Sequence, residues 1–182
     1  MRSALAIALL VAATLASCGG DGDTVSGPPP AAPSGIVLTS AAFRPGAPIP
    51  KRYSCDGPGV SPPLAWSRVP RHARELALLV EDPDASGGTF VHWSLWGMPP
   101  STRRLAEGAD TSAYRVGKNS FGDSRYGGPC PPGGDSAHRY VFTLYALSRP
   151  LGLAGGAEPD DVRGAIAKAA IARGTLTGTY DR

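Results

Sequence analysis

The run Leu76-Ala77-Leu78-Leu79-Val80, closed by Glu81-Asp82-Pro83-Asp84-Ala85, decides the fold class. Five successive apolar residues with no polar alternation suit a strand buried on both faces. Asp82-Pro83 ends it, because proline brings no N–H to a sheet ladder. Next along the chain, Phe90 to Trp96 reads as a second strand. Its alternation places Phe90, His92, Ser94 and Trp96 on one face and Val91, Trp93 and Leu95 on the other. Ile36-Val37-Leu38-Thr39 predicts the first strand of the domain, Arg139 to Leu147 the clearest one, and Thr175 to Tyr180 the last. Between the first strand and Leu76, prolines at 45, 48, 50, 58, 62 and 63 leave room only for short or edge strands.

Composition agrees with this pattern. The 182 residues include 24 Gly and 19 Pro, too many helix breakers to hide in the turns of a helical bundle. A 42% hydrophobic content still suffices for a core, and the length suits about one domain. One helix is expected. Pro159 fits its first position, Asp160 and Asp161 complement the positive end of its dipole, and Gly174 is available to close it. Val162, Ile166, Ala169 and Ala170 supply its apolar stripe. Residues 117–137 form a long Gly/Pro-rich loop. These elements predict a mainly β domain, a sandwich or small barrel, with a C-terminal helix. The net charge is +3 with no basic stripe, which gives nucleic-acid binding no support.

The N-terminus stands apart from the domain. Arg2 precedes an apolar stretch from Ala4 to Ala16 broken only by Thr14, too short at about 1.5 Å per residue to span a hydrocarbon core of about 30 Å. Residues 1–17 therefore read as a secretory signal. Leu15-Ala16-Ser17-Cys18 resembles a bacterial lipobox, in which Cys18 is acylated and becomes the new N-terminus. The alternative is a plain signal peptide cut nearby. Residues 18–35 follow as a flexible tether, since 19–34 hold four Gly, four Pro and only Asp21 and Asp23 as charges. The domain is expected over 36–182.

Three groups of residues could carry chemistry: Asp82-Pro83-Asp84-Ala85, His92-Trp93, and Gly128-Pro129-Cys130-Pro131-Pro132 followed by His138-Arg139-Tyr140. His138 and Tyr140 are two apart and face the same way on a strand. Each group has a plain structural explanation. Asp-Pro-Asp serves turns, a lone strand histidine is often a satisfied core residue, and Gly-Pro-Cys-Pro-Pro makes a rigid loop.

Their joint order resembles the phosphatidylethanolamine-binding protein family in its bacterial Raf-kinase-inhibitor-like branch. Further matching stretches are Cys55-Asp56-Gly57, Ser61 to Trp66, Gly117-x-Asn119, Tyr126-Gly127 and Tyr145-Ala146-Leu147, so the resemblance covers about residues 36–182. It implies an antiparallel β-sandwich with a small pocket for phosphate-like anions and phosphoethanolamine head groups. Carried over by motif, the pocket walls are Asp82, Asp84, His92, Gly128, Pro129, His138 and Tyr140. Two departures touch the rim: Ser86 stands where relatives often have proline, and Gly133 to Ala137 looks long.

Imidazoles, a tyrosine hydroxyl and loop amides are donors for a phosphate. Carboxylates beside an anion make sense where they orient an imidazole or accept from the ammonium of a zwitterion. No Gly-x-Ser-x-Gly elbow, His-Glu-x-x-His pair or P-loop occurs. The expectation is a noncatalytic binding protein without cofactor or metal, lipid-anchored in the bacterial envelope. Gly19 after Cys18 favours the outer membrane by analogy with lipoprotein sorting. The alternatives are a regulator docking a protein partner, as some relatives inhibit kinases or proteases, and an enzyme using His92 and His138 as acid and base. Setting Cys18 aside leaves Cys55 and Cys130, an even pair in an oxidising compartment, which predicts a disulfide; two buried free thiols are the alternative.

Overall fold

The structure is a computed structural model that describes residues 23–182. Two antiparallel sheets face each other, as expected of a sandwich. The small one holds β1 (Val37–Thr39), β2 (Leu64–Ser67) and β5 (Arg104–Leu105), with β2 in the middle. The large one contains β3 (Glu75–Asp82), β4 (Phe90–Met98), β6 (Arg115–Val116), β7 (His138–Leu147) and β8 (Ala170–Tyr180) in the order β6-β4-β3-β7-β8. Among the described residues one α-helix forms, α1 (Pro159–Ala169), and it joins β7 to β8.

β3 is the central strand of the large sheet, and all eight of its residues are buried. Leu76, Leu78 and Val80 enter the core between the sheets with Leu38, Leu64, Trp66, Phe142 and Leu144. Ala77 and Leu79 point the other way and pack under α1 with Trp96, Tyr145, Val162 and Ile166. Burial of a strand on both faces is what its unbroken apolar run requires, and each such leucine side chain contributes about 1.5–3 kcal/mol.

The end of α1 differs from the sequence reading. The helix stops at Ala169, and Ala170 turns straight into extended backbone at φ −66°, ψ 129°. Gly174 does not close the helix; it lies inside β8 opposite Leu144. Pairing along nearly the whole of β7, from His138↔Tyr180 to Leu147↔Ala170, outweighs the local preference of Ala170 to Arg173 for helix.

The tether also differs. Residues 1–17, Cys18 and the first part of 18–35 lie outside the described residues, but ordered structure starts well before Ile36. Val25 is buried and exchanges backbone hydrogen bonds with Thr89 at 2.9 and 3.1 Å. The Arg163 guanidinium donates to the carbonyls of Ser26, Gly27 and Pro28 at 2.9–3.0 Å, and the Tyr145 hydroxyl to that of Pro30. Composition alone predicts disorder here because the segment has little apolar surface. Acceptors along its backbone, met by donors from α1 and β7, hold it instead.

Candidate functional site

β4 and β7 both run antiparallel to β3, so β3 ends where its two neighbours begin. Asp82 pairs with Phe90 on one side and Glu81 with Val141 on the other. This register brings Asp82, His92 and His138, far apart in sequence, to one end of the large sheet. They line a cavity of about 270 Å³ together with Phe90, Phe121 and Asp135.

A β-bulge aims His92. Val80 opposes Trp93 and Glu81 opposes Val91, so His92 has no residue across from it on β3. Bulges of this kind re-aim side chains beside sites. Simple alternation, which placed His92 on the face of Ser94 and Trp96, does not anticipate it. The ring sits among aromatics, with centroids 4.9 Å from Phe90, 5.7 Å from Phe121 and 5.1 Å from Tyr140.

Both imidazoles are fixed through Nδ1. His92 Nδ1 lies 2.9 Å from the Gly127 carbonyl, which only accepts, so Nδ1 carries the proton. His138 Nδ1 donates to Asp82 Oδ2 at 2.8 Å. Each ring keeps Nε2 as its free polar edge. Burial, opposed by the Gly127 carbonyl and Asp82, lowers the His92 pKa to about 4, so the ring is neutral at pH 7. Asp135 Oδ2 stands 4.0 Å from His138 Nε2 on the exposed rim.

The acidic motif does two jobs. Asp82 Oδ1 accepts the Asp84 N–H at 2.8 Å, the turn bond anticipated for Asp-Pro-Asp, while Oδ2 orients His138. Asp84 also lines the cavity, but it is tied to Arg139, whose guanidinium meets both carboxylate oxygens at 2.9 and 2.6 Å. Those hydrogen bonds hold the Asp84 carboxyl below its usual range.

Gly128, Pro129 and Tyr140 stand behind the cavity and not at its wall. A Cβ on Gly128 would come within 2.6 Å of the Tyr53 carbonyl oxygen, so that position is a close approach of two backbones. The Pro129 carbonyl accepts the Cys55 N–H at 3.0 Å. Tyr140 is fully buried against His92, and its hydroxyl meets no hydrogen-bond partner among the described residues. Cys55 and Cys130 form the predicted disulfide, with Cα atoms 5.4 Å apart. It pins the Cys130-Pro131-Pro132 rim to the Cys-Asp-Gly segment, where Asp56 accepts from the Tyr180 hydroxyl at 2.7 Å.

Sequence reasoning missed Phe90, Phe121 and Asp135 as walls. Phe121 had a signal nearby in Gly117-x-Asn119. The buried Asn119 carboxamide accepts the N–H groups of Phe121 and Asp123, each at 3.0 Å, and so shapes the loop that presents the ring. Thr24, from the supposed tether, was missed altogether.

The fold is a two-sheet antiparallel sandwich with a cavity built where three strands of the large sheet meet. Residues 39–181 match the phosphatidylethanolamine-binding protein family model, and the chain belongs to that family. It is 41% identical over 189 residues to "Putative lipoprotein LppC" of Mycobacterium tuberculosis, covering 96% of this chain and 92% of that protein. A UPF0098 protein of Chlamydia trachomatis is 44% identical over 152 residues, covering 81% and 99%. The crystal structure of E. coli YbcL, a member of the mammalian PEBP family, superposes with a TM-score of 0.77 at 28% identity, covering 82% and 99%.

Proposed function

We propose that the chain is a noncatalytic binding protein that takes a phosphate-bearing, zwitterionic head group of the phosphoethanolamine type in this cavity. The supporting observation is the pair of imidazoles held through Nδ1, with both Nε2 edges left for a ligand. An unprotonated Nε2 accepts from a P–OH; once protonated it donates to a phosphate oxygen. The rings of Phe90 and Phe121, centroids 4.6 Å apart, and the rim carboxylate of Asp135 suit an ammonium group. The protein acts from the cell envelope, anchored by acyl chains on Cys18, with the periplasmic side of the outer membrane favoured; the relative named as a lipoprotein supports the anchor.

Calorimetry with phosphate and phosphoethanolamine tests the reading, alongside an assay for phosphate release. Saturable binding without turnover is expected; turnover would replace it with the hydrolase alternative, in which His92 and His138 act as acid and base. Intact mass of the membrane-extracted protein tests the anchor, with Cys18→Ala as control. The regulator alternative has one observation in its favour, Phe121 standing 50% exposed at the rim. Unchanged ligand affinity in Phe121→Ala together with loss of a co-purifying protein would favour it.

A further inference from the structure

The N-terminal segment is built into the ligand site. Thr24 lines the cavity, and its hydroxyl donates to the Gly87 carbonyl at 2.9 Å. The next residue, Val25, is 4% exposed and pairs with Thr89 immediately before β4. The loop that receives the segment is shaped for it. Gly88 sits at φ +139°, and a Cβ there would stand 3.0 Å from the Val25 carbonyl oxygen and 3.2 Å from Thr24 Oγ1. A larger residue at 88 would push the segment off the cavity edge.

A buried charge holds the other side. Arg163 of α1 is 6% exposed, lies 3.0 Å through Nε from Glu81 Oε1, and points its remaining nitrogens at three carbonyls of residues 26–28. A buried guanidinium needs its donors satisfied, and without the segment three of these acceptors are lost. The segment itself, residues 24–28, lies before the residues that the family model matches, 39–181.

We propose that Thr24, held by the Gly87–Gly88 loop and the Arg163–Glu81 pair, forms the wall that receives the cationic end of the ligand. Its one hydroxyl proton is committed to the Gly87 carbonyl, which leaves the oxygen as an acceptor. An acceptor suits an ammonium, whereas an unprotonated phosphate oxygen gains nothing from it and only a P–OH could meet it. The wall thus separates phosphoethanolamine from inorganic phosphate. This assignment rests on the proposed anion-site reading.

The test compares the two ligands on the full mature chain. Thr24→Val keeps the shape of the side chain and should weaken phosphoethanolamine roughly three- to tenfold while leaving inorganic phosphate unchanged. Arg163→Met should release the segment, seen as faster amide exchange at Val25, and give the same selective loss. If Arg163→Met fails to fold, Thr24→Val alone decides, since Thr24 is half-exposed and outside the core. Equal affinity for phosphoethanolamine in wild type and Thr24→Val overturns the assignment, as does an equal loss for both ligands. Wild-type protein that binds neither ligand rejects the anion-site reading itself.

Discussion

The Asp82 carboxylate and the His138 imidazole meet at 2.8 Å although 56 residues separate them, and both are almost wholly buried. The carboxylate fixes which nitrogen carries the proton and holds Nε2 as the ring's free edge. Losing one charge-assisted hydrogen bond to a ligand costs about 1.5–3 kcal/mol, or roughly tenfold or more in affinity. His138→Ala should therefore weaken phosphate at least tenfold in calorimetry. Asp82→Asn leaves the ring in place but presents an amide that also donates, so it should weaken binding with less loss of stability than a cavity mutant. Unchanged affinity in both variants would remove the pair from the site.

Gly128 should behave in the opposite way. Its Cβ would clash with the Tyr53 carbonyl at 2.6 Å and with Ser54 Cα at 2.9 Å, neither of which is a flexible side-chain end. Gly128→Ala is expected to lower the melting temperature by several degrees, the effect of a destabilisation of about 1–3 kcal/mol. Ligand affinity of the fraction that remains folded should change little, because Gly128 stands behind the wall. A variant of wild-type stability that fails to bind would return Gly128 to the list of ligand contacts.

Much of the fold was legible because single local signals were strong. The unbroken run Leu76 to Val80 predicted a strand buried on both faces, and β3 is one. The cysteine pair was legible from parity and compartment. Legibility failed where distant partners override local signals. Ala170 to Arg173 read as helix until β7 drew them into β8. Arg163, beside Val162 on α1, carried no mark of the carbonyls of residues 26–28 that it holds, so an ordered strap looked like a tether. For the site, the motifs predicted Asp82, His92 and His138 together. They did not predict the bulge that aims His92, since a period of two contains no extra residue.

The Cys55–Cys130 disulfide closes a loop spanning 75 positions. In the chain-entropy model such a closure contributes about 4 kcal/mol, lowered by any strain. Cys55→Ser with Cys130→Ser should lose up to that amount in denaturant unfolding and loosen the rim, weakening ligand as well as fold. Thiol counting under denaturing, non-reducing conditions should find no reactive thiol in the mature lipidated protein. Two free thiols would show that the bridge does not form in the envelope.

Acid should destabilise the protein through His92. Its pKa falls from 6.5 to about 4 on folding because burial disfavours the imidazolium. Between these values the unfolded chain binds more protons than the folded one, so stability rises with pH across that window and is lost as pH falls through it. The shift corresponds to about 3 kcal/mol at most, fully felt only below pH 4. The facing side chains, Asp82 and His138, remain in place in His92→Phe, which should flatten the stability profile between pH 6.5 and 4. A bound phosphate dianion reverses the preference by stabilising the imidazolium. Binding should then take up protons, and phosphate affinity should rise as pH drops from 8 to 6 provided the dianion is still available. Calorimetry in buffers of different ionisation enthalpy measures this uptake directly. Zero proton uptake in wild type, or the same uptake in His92→Phe, would show that His92 does not change protonation with the ligand.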